Sequence, residues 1–339
     1  MEKKTIVQVQ KLGFQWQAES PFLVTMHHRD MYPPGNEEQG PNVSLEDRNL
    51  GEDFTIKDGF RMYHGKKVPG FPYHPHRGFE TVTVVLEGYV DHFDSTGASG
   101  RYGNGDVQWM TAGKGCLHTE MFPLVHMNQD NPLELFQIWL NLPAKNKFAE
   151  PEYKMLWAED IPVIDSFSAN GKKSTVRLIA GKLLGKESLE PSKASWAKEK
   201  ENHVGIYLIK MEPEASITLP AVSETLNRNV YFYRGSEIRI GDTTIQQMNR
   251  VKLSGLEETT INNGSTESYL LVLEGEPILE PIAQYGPFVM NTQEEIREAF
   301  QDYQRTQFGG WQWGRPDPVN ERNAGRFACY SDGTIEQKE

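Results

Sequence analysis

His74-Pro75-His76 is an H-x-H pair, and His118-Thr119-Glu120 repeats its spacing with a carboxylate in the second place. In a β-strand, residues i and i+2 point to the same face, so each tripeptide offers two donor groups to one side. Two imidazoles from one strand can reach a single metal ion at about 2.0–2.2 Å. Pro75 between them suits an edge strand or a strand start and stiffens the pair. An H-x-H pair alone is a weak sign, since most such pairs hold nothing. Combined, the two elements supply three nitrogens and one oxygen, a borderline-hard set suited to Fe(II), Mn(II), Ni(II) or Zn(II). Four protein ligands leave open positions on an octahedral ion and none on a tetrahedral one. An octahedral open-shell metal is therefore the chemically useful choice.

The elements that must carry these groups read as short strands. Glu80 to Leu86 is dense in β-branched residues and ends at Gly88, and Tyr89–Asp94 follows. Turns at Ser95–Gly100 and Gly103–Gly105 precede Asp106–Met110, and Leu133–Leu142 reads as a buried strand. Strands separated by Gly, Asn and Asp turns every 8–12 residues argue for a sandwich or barrel rather than a βαβ fold. Prolines 143, 151 and 162 mark a change of character. Strands resume at Thr175–Ala180 and continue at Val204–Ile209, Asn229–Arg234, Glu237–Ile240 and Tyr269–Leu273. Residues 182–203 read as a polar surface excursion or a short helix.

A weak internal repeat links the two halves. Laying Gly88 on Gly235 aligns TVTVVLEGYVDHF with RNVYFYRGSEIRI, and both read strand, Gly, strand. On this alignment Ala221 stands for His74 and Ser223 for His76, so the second copy lacks the imidazoles. The histidine distribution agrees, because eight of the nine lie before residue 127 and only His203 lies beyond. Near the end, Thr292-Gln293-Glu294-Glu295 forms a capping box, and Ile296, Ala299, Phe300 and Tyr303 give the following helix one apolar face. Gly309-Gly310 is read as its end. The tail beyond reads as irregular, with its aromatics docked on the barrel.

Composition limits the function. The chain has 339 residues and 35 Lys+Arg against 47 Asp+Glu, a formal charge of −12. Without a basic stripe, direct nucleic-acid binding by counterion release is excluded. No apolar run of about 18 residues marks a membrane span. The N-terminal residues lack the apolar core of a signal peptide. Cys116 and Cys329 build no disulfide framework, so a reduced, cytoplasmic location is expected.

At this point the sequence resembles a known family. His74, His76, Glu80 and Gly88 match the first cupin motif, H-x-H-x3-E running into a strand that ends at Gly. HPHRGFETVTVVLEG (74–88), DVQWMTAGKGCLHTEMF (106–122), LELFQIWLNLP (133–143) and QYGPFVMNTQEEI (284–296) resemble pirin signature segments in the same order. The resemblance runs from about Pro21 to Phe308 and is poorest over 182–203 and after 308. Most cupins lack a carboxylate two residues after the second-motif histidine, and the presence of Glu120 there is itself pirin-like.

The resemblance implies an all-β fold of two cupin, jelly-roll-like β-barrels packed face to face, with a short C-terminal helix. The domains would be 1–165 with metal, 166–290 without ligands, and 291–339 as helix and irregular tail. It implies one divalent transition metal, iron(II) first with Mn, Ni, Co or Zn as alternatives, held by His74, His76, His118 and Glu120. It further implies quercetin 2,3-dioxygenase-type chemistry on a flavonol-like or enol substrate with O2. The metal would act as a Lewis acid, and Glu120 would be the catalytic base. The competing reading is a metal-dependent regulator acting through a protein partner, with incidental catalysis.

Other candidates carry plainer readings. Glu80 is expected in a supporting or structural role rather than on the metal. Cys116 reads as a buried small residue. His27, His28, His64, His92 and His126 read as surface or hydrogen-bonded structural histidines. Trp109, Phe122, Trp139, Met62 and Met110 read as core. Gln137 shares a strand face with Leu135 and Trp139 and is read as an inward polar group.

Overall fold

A computed structural model describes residues 5–339. The chain forms two compact units, each a β-barrel-like body. One comprises Met26–Ala158 with Glu280–Glu339, and the other joins the described residues up to Thr25 to Glu159–Leu279. The units interleave along the chain, unlike the consecutive segments 1–165, 166–290 and 291–339 read from the sequence. Strand pairing is one reason: Ile6–Lys11 lies antiparallel to Asn249–Ser254, with Val9 opposite Val251.

In the histidine-bearing unit we label the strands β1 (Gly70–His76), β2 (Phe79–Glu87), β3 (Tyr89–Asp94), β4 (Ser99–Gly103), β5 (Val107–Thr111), β6 (Cys116–Met121), β7 (Asn131–Asn141) and β8 (Glu152–Leu156). One sheet contains the order β4–β3–β6–β1, and the other contains β8–β5–β2–β7. Gly88 turns β2 into β3 at φ +82, and a Cβ there would lie 2.6 Å from the Pro132 carbonyl oxygen. Only glycine meets both demands. Tyr32, Val85, Val90, Tyr102, Leu133 and Leu135 belong to one buried apolar cluster of this unit.

The second unit repeats the strand–Gly–strand step. Asn227–Arg234 runs through Gly235 (φ +136) into Glu237–Ile240. Its interior is apolar, with Tyr207, Ile209, Val230, Phe232, Leu270 and Val272 in one cluster. The excursion 182–203 contains a short hairpin and two single-turn 3-10 helices rather than an α-helix.

The helix α1 (Gln293–Thr306) starts on the expected capping box, with Glu295 N–H donating to Thr292 and the Glu295 carboxylate accepting from the Thr292 N–H. It ends before Gly309, because Gln307 takes the left-handed conformation and returns its N–H to the Tyr303 carbonyl. The tail corrects the sequence reading. It is not irregular throughout, since β9 (Arg326–Cys329) pairs with β4, with Ala328 opposite Gly100, and Ile335–Lys338 adds a further strand. An open β4 edge presents unpaired backbone groups, and β9 satisfies them. Among the described residues, no helix is long and apolar enough to cross a membrane.

Candidate metal centre

The site is assembled by β6, which pairs with β1 on one side and β3 on the other. His74 and Asp94 flank His118 across the ladders, and His92 stands opposite Glu120. Between Phe71 and His74 the β1 register shifts, so three residues of β1 span two of β6. Such a bulge re-aims the following side chain. It brings His74 level with His118, and the His74 ring is held by a 2.9 Å contact between Nδ1 and the Pro72 carbonyl within the bulge.

The ligand-capable atoms of His74, His76 and His118 all lie within 4.8 Å of one another. Their ring centroids are 4.5–4.9 Å apart. Burial disfavours the imidazolium in all three. It holds His74 down at about 4 and His76 and His118 well below the ordinary histidine value, and the neighbouring imidazoles push the same way. All three are neutral near pH 7, the form that binds a metal. Neither ring nitrogen of His118 has a hydrogen-bond partner among the described residues, although the ring is fully buried. A buried polar nitrogen left unmatched is costly, and a cation among the three rings would satisfy one such nitrogen. The cluster therefore suggests a metal site, and the donors fit a divalent transition metal.

Glu120 joins from the same strand face. Its Oε2 lies 3.9 Å from His118 Nε2. Gln137 Nε2 donates to Oε2 at 2.6 Å, and the Thr83 hydroxyl donates to Oε1 at 2.8 Å. That hydroxyl also lies 2.5 Å from Gln137 Oε1, so one proton faces two acceptors. Burial raises the Glu120 carboxyl to about 7, against the downward pull of Thr83 and Gln137. A carboxyl poised near neutrality can both accept and return a proton.

The remaining candidates fall elsewhere. Glu80 is buried and accepts from Trp109 Nε1 at 3.1 Å and Thr111 Oγ1 at 2.7 Å, and it is not one of the residues grouped with the three imidazoles. Cys116 packs with Met110 and Ala112, and burial pushes its thiol pKa upward. His64 is exposed and bound to the Gly51 carbonyl, His27 contacts Glu134, and His28 contacts Tyr63. The backbone N–H of His126 donates to Asn131. Met62 and Phe122 are core, and Trp139 meets His76 edge-on at 5.5 Å. Gln137 is inward and polar, as its strand position indicated.

His92 is nearer the centre than a structural histidine would suggest. Its ring lies 5.6 Å from His118, stacks on Tyr153 at 4.6 Å, and holds Asp94 through Nε2 at 3.0 Å. Sequence reasoning passed over Asp94 and Thr83. The available signals were the His92-x-Asp94 spacing, which repeats that of His74-x-His76, and the threonines that interrupt an aliphatic strand at alternate, inward positions.

Comparison with known proteins follows the same lines. Residues 35–140 match the family model for pirin, and residues 206–309 match that for the pirin C-terminal cupin domain. Human pirin is 36% identical over 269 residues, covering 77% of this chain and 84% of its own. A Pseudomonas aeruginosa protein provisionally named quercetin 2,3-dioxygenase is 36% identical over 241 residues, covering 70% and 79%. The crystal structure of quercetin 2,3-dioxygenase from Acinetobacter baumannii superposes with a TM-score of 0.70 at 28% identity, covering 90% of this chain and 98% of that one. With two cupin domains in sequence order and relatives matched over most of their length, this chain belongs to the pirin family.

Proposed function

We propose that the chain is a metal-dependent dioxygenase that cleaves a flavonol-like or other enol-bearing substrate in the manner of quercetin 2,3-dioxygenase. The site is a single metal ion, iron(II) first, held by His74, His76, His118 and Glu120. The observation that carries this reading is the convergence of three neutral imidazoles within 4.8 Å, with a carboxylate poised near pH 7 beside them. The names of the Pseudomonas and Acinetobacter relatives support the reaction type.

When bound, the metal supplies Lewis-acid activation and one-electron exchange with O2. The protein supplies the rest. Glu120 takes the proton of the substrate hydroxyl on a carboxylate oxygen. Gln137 and Thr83 hold that carboxylate in place and stabilise its charged form. The three imidazoles, whose lone pairs would be committed to the metal, would not compete for the proton. Trp139 and Phe79, with ring centroids 4.4 Å apart, form an apolar wall beside His76.

The test is anaerobic iron loading, then addition of quercetin and air while flavonol absorbance and O2 uptake are followed. The expected result is matched loss of both. Full iron occupancy without loss of flavonol absorbance would refute the dioxygenase reading. His118→Ala should lose metal and turnover together. Glu120→Gln should keep a substantial share of the metal but lose turnover by about 100-fold or more, the scale of a missing general base. A fully active Glu120→Gln protein would sink the base assignment.

A further inference from the structure

β1 carries two of the three imidazoles, yet it is the last strand of its sheet, bonded within it only to β6. Its outer edge is met by other parts of the same unit at three points. Gly70 bridges to Tyr63, Arg77 N–H donates to the Pro287 carbonyl, and Tyr73 N–H donates to the Pro316 carbonyl at 2.8 Å. The third contact comes from the segment immediately after the family match, which stops at residue 309.

That segment, 311–316, is bound to both sides of the site. The Trp311 ring stacks on Tyr73 at 5.2 Å and 22° and donates its own N–H to the Arg315 carbonyl, closing a tight loop. Tyr73 is the residue before His74. Trp313 donates Nε1–H to the Asp94 carbonyl at 2.8 Å and packs edge-on against Phe93 at 4.9 Å. The Asp94 carboxylate holds His92 and accepts from Thr96 and Ala98, and across the ladder Asp94 faces His118. Two tryptophans two residues apart thus touch Tyr73, the residue before His74, and Asp94, the cross-strand partner of His118. Gly309 and Gly310, at φ +99 and +84, direct the chain into this path.

We propose that residues 311–316 are a strap that fixes the open edge of the ligand strand, with Trp311 and Trp313 as positioning residues for the imidazole cluster. This rests on the metal-site reading above. A ligand strand with a loose edge opens locally, and local opening is the route by which a chelated ion escapes. The strap therefore slows metal release without touching the metal. Trp311→Phe keeps an aromatic face for Tyr73, whereas Trp311→Ala removes it. Trp313→Phe keeps the packing on Phe93 and loses only the N–H to Asp94.

The experiment loads the full-length protein with Fe(II) or Co(II) anaerobically and follows release to excess chelator. Trp311→Ala should release metal about 10-fold faster, the low end of what outer supports of a metal ligand are worth. Trp311→Phe should stay near the wild-type rate, and Trp313→Phe should fall between. Wild-type release from Trp311→Ala, or release from Trp311→Phe as fast as from Trp311→Ala, overturns the proposal. Hydrogen exchange of the Tyr73 amide in the unaltered protein supplies a second readout, independent of whether any variant folds. Strong protection is expected, and exchange at the rate of a free amide overturns the strap. If the unaltered protein takes up no metal, the metal-site reading fails, while the Tyr73 amide still decides whether the edge is held.

Discussion

Gln137 Nε2 donates to Glu120 Oε2 at 2.6 Å, joining β7 of one sheet to β6 of the other across the barrel interior. This bond opposes the desolvation that raises the Glu120 carboxyl to about 7. Gln137→Leu removes the donor and leaves burial less opposed. The carboxyl of the metal-free protein should then titrate about one unit higher, the equivalent of ~1.4 kcal/mol and typical of one hydrogen bond to a charged group. Carbon-detected NMR of the Glu120 carboxyl checks this. An unchanged midpoint would mean that Gln137 does not stabilise the carboxylate.

Acid should destabilise the metal-free protein between pH 6.5 and about 4. His28 is held down at about 3, His74 at about 4, and His76 and His118 well below the ordinary value, all chiefly by burial. The unfolded chain takes up these protons from pH 6.5 downward while the folded chain does not, so stability falls as pH falls through this window. Glu120 acts with the opposite sign. Its raised folded pKa gives stability that is complete below about 4.5 and lost as pH rises to about 7. Four histidines outweigh one carboxyl. Thermal melts of chelator-treated protein should show a lower midpoint at pH 5 than at pH 7.

Glu80 offers the sharpest contrast with a metal ligand. Glu80→Ala strips acceptors from the buried Trp109 indole and Thr111 hydroxyl. The expected loss is about 2–4 kcal/mol of stability, from buried groups left unpaired and the cavity created. Metal content per folded molecule should be unchanged. A drop in metal stoichiometry with wild-type stability would reverse the assignment.

Arg101 ties the tail to the barrel. Its guanidinium pairs with Asp91 at 2.7 and 2.8 Å, both side chains being buried, and donates to the carbonyls of Asn320, Glu321 and Arg322. Arg101→Met leaves Asp91 as an uncompensated buried charge and should cost about 3–5 kcal/mol. It should also open residues 319–325 to limited proteolysis. Cleavage no faster than in the unaltered protein would show that β9 and the Arg322 contacts to Asn36, Leu124 and Val125 hold the tail without Arg101.

Much of this was legible in one dimension because it depends on local periodicity. The i, i+2 spacing of His74 and His76, and of His118 and Glu120, needs only the strand alternation to put each pair on one face. The turn at Gly88, the capping box at Thr292 and the inward face of Gln137 are equally local. The helix end was misplaced because no local rule requires Gln307 to adopt the left-handed conformation. The tail strand was missed because β9 forms only where β4 offers an open edge, and that edge is a product of the barrel.

The sequence by itself determined the β-rich class, the strand–Gly–strand step shared by the two halves, and the two tripeptides that carry the donors. The resemblance to the family pointed to Glu120 over Glu80. Tertiary structure decided that the two tripeptides meet, because β6 pairs with β1 through a bulge that levels His74 with His118. It decided that Glu80 faces Trp109 and Thr111 while Glu120 faces Thr83 and Gln137. It also set the protonation states, since desolvation acts only once a packed interior exists and drives three imidazoles and one carboxyl toward their neutral forms.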